Sequence, residues 1–170
     1  LANPDFTIVT IHWGEEYQRF ENRVQQKLAE FMLKHGADAI IGSHPHVVQP
    51  IKFYNGVDST EKKIVVYSQG NFVSNQRAQY KDGGILVGLN LMKAAEKTTV
   101  ENFNYMPSWV FRDDLPGKST FYIVPVAFYE NNTSFFNFKD HDRYKISQFA
   151  TDTREHLKNA RENDFFKKAD

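Results

Sequence analysis

Residues 6–42 read FTIVTIHWGEEYQRFENRVQQKLAEFMLKHGADAIIG, and this stretch decides the fold class. It begins with Phe6–Ile11, a short run of apolar and β-branched residues that is typical of a strand buried on both faces of a sheet. Ala39–Gly42 is a second run of the same kind. Between the two runs, the apolar residues recur with helical spacing. A strand, a helix and a strand over about 35 residues form a βαβ unit, which predicts a parallel sheet in an α/β fold.

The helix of this unit is predicted over residues 18–35. Four apolar side chains fall at positions i, i+4, i+8 and i+11 and share one helical face: Phe20, Val24, Leu28 and Phe31. Gly36 stands where a helix commonly ends in a left-handed residue, and His35 before it suits the negative end of the helix dipole. The pattern therefore predicts a helix with one apolar face that ends at His35.

Beyond this unit, the chain changes to antiparallel character near residue 80. Apolar runs predict five further strands, at residues 47–54, 63–68, 84–92, 98–111 and 120–129. We expect a hairpin loop around Asn55-Gly56 and the polar residues 58–62, and a turn at residues 113–118. Residues 140–163 are predicted to be helical, with a weak stripe formed by Phe149, Thr153, Leu157 and Ala160.

Composition excludes several classes of function. Lysine and arginine number 21, and aspartate and glutamate number 21, so there is no basic excess for binding nucleic acid or an anionic membrane. The absence of cysteine excludes disulfides, thiolate metal sites and a cysteine nucleophile. No apolar run approaches the length of about 18 residues that a transmembrane helix needs. The length of 170 residues suits a single domain.

Polar residues follow the predicted strands at their carboxyl ends, where α/β sheets bind ligands. His12 follows the first strand, and His44 and His46 follow the second. If these strands are parallel neighbours, the three imidazoles meet at one sheet edge, and imidazole is a good ligand for Zn, Mn, Fe or Ni. Alternate side chains diverge in an extended loop, so His44 and His46 would reach two ions side by side, or one ion if the loop bends at Pro45.

Each candidate residue also has a structural alternative. A lone histidine after a strand is more often a hydrogen-bonded structural residue than a ligand, and three others are interpreted in that way: His35, His141 and His156. Glu15 and Glu16 would suit the first turn of a helix, whose dipole stabilises negative charge. Residues Ser68–Phe72 (SQGNF) would also form a simple turn. The meeting of three histidines at one edge is what favours a metal site.

Three motifs occur in order along the chain: His12-Trp13-Gly14-x-Glu16-Tyr17, then Gly36-Ala37-Asp38 leading to Ile41-Gly42-Ser43-His44-Pro45-His46-Val47, then Tyr67-Ser68-Gln69-Gly70-Asn71-Phe72-Val73. Together they resemble the bacterial poly-γ-glutamate capsule synthesis (CapA-like) family, a branch of the calcineurin-like metallophosphoesterases. The motif-bearing part is residues 5–90. The β-rich part and terminal helix, residues 91–170, add little to this resemblance.

The resemblance implies a metallophosphoesterase-like four-layer α/β/β/α sandwich, with residues 1–170 as the C-terminal portion of one CapA-like domain. It implies a pair of divalent metal ions, such as Mn, Fe or Zn, that clamp a phosphate while a bridging hydroxide attacks phosphorus. By motif, His12, His44 and His46 match metal ligands. Glu16 and Asn71 belong to the signature of the capsule branch, and we assign them catalytic roles in substrate contact or in orienting ligands.

The resemblance also implies ligands that this chain does not carry. The aspartate- and asparagine-bearing motifs of the superfamily precede the His-Trp-Gly strand, and Asp5 is not part of a matching motif. We therefore expect the N-terminal portion of the same protein to act as a complementary chain that fills the missing strands. Without it, the chain is expected to fold poorly.

The expected function is that of a metal-dependent hydrolase or transferase in capsule or poly-γ-glutamate biosynthesis or processing. Its substrate would be an anionic polymer or a phosphoester, and it would lie at the cell surface or outside the cytoplasm, membrane-anchored in the full-length protein. One alternative is a non-catalytic subunit of the capsule machinery that binds polymer or protein partners. Another is an unrelated α/β protein with structural histidines, in which the three imidazoles would lie apart.

Overall fold

The computed structural model describes residues 3–56, 62–160 and 162 of the chain. In this part the elements follow one another as β1 (Ile8–His12), α1 (Arg23–Lys34), β2 (Ala39–Ser43), β3 (Ile51–Asn55), β4 (Lys62–Val66), β5 (Gly83–Ala94), β6 (Lys97–Leu115), β7 (Lys118–Pro125), α2 (Val126–Asn131) and α3 (Asp140–His156). The prediction of an α/β chain that becomes antiparallel in its second half is confirmed.

The first sheet has four strands in the order β1-β2-β4-β3. β1, β2 and β4 run parallel, and β3 pairs antiparallel with β4. The register places His12 of β1 beside Ser43 of β2, so these two strands end at the same edge. Within the described residues, β1 pairs on one side only, and Ile8 and Thr10 on this edge strand are exposed.

α1 begins later than predicted, at Arg23, because Asn22 caps it. The Asn22 side chain accepts a hydrogen bond from the Gln25 backbone, and the Gln25 side chain accepts one from the Asn22 backbone, which forms a reciprocal capping box. The C-terminus agrees with the prediction. His35 is the C-cap, and Gly36 has a φ of 104°, in the left-handed region that favours glycine.

The predicted apolar face of this helical segment, here called the α1 stripe, points away from the sheet. Its exposed fractions are 67% for Phe20, 72% for Val24, 38% for Leu28 and 57% for Phe31. The buried residues of α1 are Gln25, Ala29 and Leu33. Each lies next in sequence to, or two positions from, a stripe residue, and one position along a helix is a rotation of about 100°. The apolar period thus identifies the helix but not the face that packs.

The second sheet is antiparallel in the order β5-β6-β7, and it corrects two predicted boundaries. The strand predicted at 120–129 ends at Pro125, and Val126–Asn131 form α2 instead. Proline has no N–H for the next ladder bond, and the core contacts of α2 outweigh the strand preference of its Val, Phe and Tyr residues. The turn predicted at 113–118 is confined to Pro116-Gly117, because β6 continues to Leu115.

Other predicted boundaries are also shifted. The strand predicted at 47–54 begins at Ile51, because residues 47–50 form an irregular segment after the histidine loop. Loop residues 58–61 lie outside the described residues. The last helix ends at His156 rather than at residue 163, and residues 161 and 163–170 also lie outside the described part.

Three buried clusters hold the elements together. Between α1 and the first sheet lie Trp13, Ala29, Leu33, Ile40, Val65 and Tyr67. Between the two sheets lie Ile51, Ile64, Val66, Ile85, Phe103 and Tyr105, joined by Leu157. Between the second sheet and helices α2 and α3 lie Trp109, Val124, Val126, Ile146 and Phe149. β2 and β4 are therefore packed on both faces of the first sheet. The prediction that the first strand is also buried on both faces is wrong, because β1 lies at the edge of the sheet and exposes Ile8 and Thr10.

Candidate metal centre

The carboxyl ends of β1 and β2 carry the predicted histidines. The Trp13 N–H donates a 3.1 Å hydrogen bond to the Ser43 carbonyl, which continues the pairing of the two strands past His12. The ring centroids of His12 and His44 are 4.4 Å apart, and those of His44 and His46 are 6.2 Å apart. The three imidazoles therefore converge, and the arrangement in which they lie apart is not observed.

The loop that carries His44 and His46 bends around Pro45. His44 has a φ of 103° and His46 a φ of 59°, both in the left-handed region that non-glycine residues rarely adopt. The loop is thus not extended, and the rule that alternate side chains diverge does not apply to it. Of the two arrangements left open by the sequence, the structure shows the bend. Backbone strain of this kind is typical of functional sites.

Glu16 joins two of the histidines in a compact group of possible ligands. The ligand atoms of Glu16, His44 and His46 all lie within 4.8 Å of one another, and Glu16 Oε1 is 3.8 Å from His46 Nε2. One carboxylate and two imidazoles with a solvent-facing side form a donor set that suits Zn, Mn or Fe. His12 lies at the border of this group, against the His44 ring, and its Nδ1 is 3.5 Å from the Ser43 hydroxyl.

This grouping differs from the assignment by motif. Glu16, to which we assigned a catalytic role, lies among the possible ligands, and His12 lies beside them. Over residues 3–56, 62–160 and 162 this is the one such group of three donors, so the second ion of the predicted pair stays a prediction.

Asn71 fixes the orientation of the His46 ring. Its Oδ1 is 2.8 Å from His46 Nδ1, while its Nδ2 donates to the carbonyls of His46 and Lys81 at 3.3 Å and 2.8 Å. These two carbonyls determine which way the amide points, so the oxygen faces the imidazole. An amide oxygen only accepts, so His46 Nδ1 donates this hydrogen bond, and Nε2 is the ring nitrogen that faces Glu16. This geometry supports an orienting role for Asn71.

Two buried glutamines, which belong to none of the three sequence motifs, hold the loop that carries Glu16. Gln49 Nε2 donates to the carbonyls of Gln18 and Phe20 at 2.8 Å and 3.1 Å, and Gln25 Nε2 donates to Gln49 Oε1 at 2.9 Å. The Asn-x-x-Gln capping pattern that begins α1 is a signal that could have pointed to Gln25. No local pattern points to Gln49, because its partners are backbone carbonyls distant in sequence.

Gly42 allows the close packing beneath the site. Trp13 Nε1 donates a 2.8 Å hydrogen bond to the Tyr67 carbonyl, and a Cβ at position 42 would collide with both of these groups. Glycine at position 42 therefore allows the Tyr67 backbone and the Trp13 ring to approach the strand closely.

Tyr17 lies beside the candidate metal centre in a strained conformation. Its φ is 65°, its N–H donates a 2.7 Å hydrogen bond to the Pro45 carbonyl, and its ring centroid is 6.0 Å from that of His46. The pKa of the Tyr17 hydroxyl is raised, first by partial loss of hydration and then by its hydrogen bond with Glu16. The hydroxyl therefore remains protonated and able to donate at neutral pH.

A carboxylate and converging imidazoles at the carboxyl edge of a parallel sheet define the class: an α/β protein with a candidate metal centre at its strand ends. Residues 1–76 match the model of the family described as Bacterial capsule synthesis protein PGA_cap. The resemblance to the bacterial capsule synthesis (CapA-like) family is thereby confirmed, and it rests on the part of the chain that holds every candidate site residue.

Two relatives extend this result. The chain is 37% identical over 119 residues to the PGA biosynthesis protein CapA of Bacillus subtilis (strain 168), a match that covers 68% of this chain and 30% of that protein. It is 43% identical over 75 residues to the Capsule biosynthesis protein CapA of Bacillus anthracis, covering 44% of this chain and 17% of that protein. The chain thus spans less than a third of the length of these relatives. In its described part, no helix has both the length and the apolar character to cross a bilayer.

Proposed function

We propose that this chain supplies part of the site of a metal-dependent hydrolase or transferase, of the metallophosphoesterase type, in capsule or poly-γ-glutamate biosynthesis or processing. One observation carries the proposal: the ligand atoms of Glu16, His44 and His46 lie within 4.8 Å of one another at the carboxyl edge of a parallel sheet. The relatives, whose names state capsule and PGA biosynthesis, support the choice of process.

Glu16, His44 and His46 would hold a divalent ion such as Zn, Mn or Fe, and His12 beside His44 is available for the second ion of a pair. A bound ion would bind a phosphate oxygen and lower the pKa of a bound water. Residues of this chain would orient the ligands. Asn71 holds His46 in the tautomer that would leave Nε2 free, and the Tyr17 hydroxyl, which is hydrogen bonded with Glu16, would orient that carboxylate.

The proposed partner is the N-terminal portion of the same protein, acting as a complementary chain. The α1 stripe is exposed, and among the described residues the edge strand β1 has no strand partner on its outer side. A covering segment would bury both features and would extend the first sheet beyond β1. The proposed four-layer α/β/β/α sandwich is supported by the three buried clusters, which lie between α1 and the first sheet, between the two sheets, and between the second sheet and helices α2 and α3.

The proposed substrate is an anionic polymer or a phosphoester. The whole chain has no net charge, so it has no basic excess to attract such a substrate. Local positive charge at the site would bind it instead. A cell-surface location belongs to the same proposal and is supported by the capsule relatives. Membrane anchoring in the full-length protein is proposed with it.

The test measures metal binding and phosphoesterase activity in the intact protein. Calorimetric titration with Mn²⁺ and Zn²⁺, and assays with chromogenic phosphomonoesters and phosphodiesters, are run on the unaltered protein and on His46→Ala. His141→Ala, at an exposed histidine of α3, is the matched control. We expect stoichiometric metal and an activity that is lost in His46→Ala and kept in His141→Ala. A metal-free protein, or activity that survives His46→Ala, would contradict the proposal.

The second candidate function is a non-catalytic subunit that binds polymer or protein partners, and the exposed α1 stripe favours it. This function predicts binding of poly-γ-glutamate, or of a protein partner, that is unchanged in His46→Ala and does not require metal. Sedimentation of the unaltered protein and of His46→Ala with the polymer, with and without EDTA, distinguishes the two candidate functions.

A further inference from the structure

Two loops form one wall of the candidate metal centre. The Tyr17 loop is residues 14–20, between β1 and α1, and the Lys81 loop is residues 71–81, between β4 and β5. Two cation–aromatic pairs join them. The Lys81 ammonium lies 3.8 Å from the centroid of the Tyr17 ring, and the Arg19 guanidinium lies 4.0 Å from the centroid of the Tyr80 ring. Each loop gives one cation and one ring, so the contact between the loops is reciprocal.

The position of Lys81 is tied to the metal-centre residues through short contacts. Its carbonyl accepts a 2.8 Å hydrogen bond from Asn71, whose Oδ1 bonds to His46. The Lys81 ammonium lies over the Tyr17 ring. The hydrogen bond from Tyr17 N–H to the Pro45 carbonyl holds the backbone of Tyr17, and the ring centroid of Tyr17 lies 6.0 Å from that of His46. A cation is thus held one aromatic ring away from the candidate ligands.

Among the described residues, Lys81 forms no ion pair with an acidic side chain. Four other lysines lie within 4.0 Å of a carboxylate: Lys52, Lys63, Lys93 and Lys145. Over the described part of the chain, no such ion pair is found for Lys81, whose ammonium rests on the Tyr17 ring. A ring face attracts the charge without accepting all of its hydrogen bonds, and an ammonium has three N–H donors. The ring therefore positions the cation and leaves it able to donate.

We propose that Lys81, positioned on Tyr17, binds an oxyanion of the substrate, either a phosphate or a carboxylate, beside the metal centre. Charge-assisted hydrogen bonds from an ammonium suit either anion. The inference rests on the proposed function only in taking the neighbouring residues to be the reaction site. Lys81 would then select anionic substrates and orient them toward Glu16, His44 and His46.

The test titrates the protein with inorganic phosphate and, separately, with acetate, with EDTA present throughout. The readout is the NMR signal of the Lys81 Cε–H group, assigned by its loss in Lys81→Met. Calorimetry gives the affinity for phosphate in Lys81→Met, in Lys81→Arg and in the control Lys118→Met, at the exposed first residue of β7. Mn²⁺ binding is measured separately in each variant, so failure of the metal site and failure of the anion site are distinguishable.

We expect phosphate, acetate or both to shift the Lys81 signal to saturation, and the stronger of the two identifies the anion. Lys81→Met should weaken binding of that anion at least about tenfold, Lys81→Arg should restore most of it, and Lys118→Met should leave it unchanged. The wild-type titration does not depend on any variant folding. Absence of a Lys81 shift with both anions, or equal affinity in Lys81→Met, would overturn the inference, whatever the result for Mn²⁺.

Discussion

His46 Nδ1 and Asn71 Oδ1 lie 2.8 Å apart, and this contact links the histidine loop after β2 to the Asn71 segment after β4. The same Asn71 side chain also donates to the carbonyls of His46 and Lys81, so it joins three backbone segments at the carboxyl edge of the sheet. A buried amide with this many partners has little freedom, and neither does the imidazole that bonds to it.

Asn71→Ala should weaken metal binding without unfolding the protein. The His46 ring would lose the acceptor that fixes its tautomer, and outer hydrogen bonds of this kind typically change metal affinity by about 10- to 100-fold. Calorimetric titration with Zn²⁺ or Mn²⁺ measures the change, and Asn90→Ala on the exposed part of β5 is the control. Unchanged affinity in a folded Asn71→Ala protein would show that Asn71 does not orient a ligand.

Gly42→Ala should destabilise the fold at the base of the site. The added methyl group collides with the Tyr67 carbonyl and with Trp13 Nε1, so the hydrogen bond between them must break or the strands must separate. We expect a loss of at least about 3 kcal/mol in the free energy of unfolding.

The matched variant is Gly36→Ala, where a Cβ meets no atom within 4 Å but the φ of 104° is strained. It should cost about 1–2 kcal/mol. Urea denaturation measures both variants, and equal losses would mean that close packing at Gly42 is not decisive.

The double substitution Val24→Gln and Phe31→Gln should leave the stability of the isolated chain almost unchanged. Both side chains are mostly exposed, and exposed substitutions usually change the free energy of unfolding by no more than about 0.5 kcal/mol. Self-association, measured by sedimentation velocity, should fall because the apolar surface is reduced.

Leu33→Ala is the contrasting variant on the buried face of the same helix, and it should cost about 2–5 kcal/mol. A similar loss in the double variant would show that the α1 stripe is covered within this chain.

The stability of the chain should fall as the pH is lowered through the ordinary histidine range. Burial, and then the charge of Arg19, lower the pKa of His156 below 6.5, while its bond to the Arg19 carbonyl and the charge of Glu21 oppose this shift. Between the lowered pKa of His156 in the folded chain and the unfolded value of about 6.5, the unfolded chain binds more protons than the folded chain. The free energy of unfolding therefore rises with pH in that window, and the contribution of His156 is complete above it.

His156→Gln should remove this part of the pH dependence, since glutamine can donate to the same carbonyl without titrating. His141→Gln, at an exposed histidine, is the control. The measurement is the urea midpoint at a series of pH values from about 5 to 8, spanning the ordinary histidine pKa. Identical pH profiles for His156→Gln and the unaltered chain would contradict the assignment to His156.

The sequence by itself determined the features that depend on local pattern. The strand-helix-strand period of residues 6–42 specifies β1, α1 and β2, and the end of the helix at His35 and Gly36 follows from local backbone preference. Parallel pairing then places the residues after β1 and β2 at one edge, which is why His12, His44 and His46 could be placed together before any coordinates.

Only the tertiary structure decided what depends on contacts between distant segments. The bend at Pro45, the inclusion of Glu16 in the ligand group and the buried pair Gln25 and Gln49 arise where separate loops pack together. The exposure of the α1 stripe is the clearest case. Hydrophobic period fixes which residues share a helical face, but the face that is buried depends on which surfaces the rest of the fold presents to it.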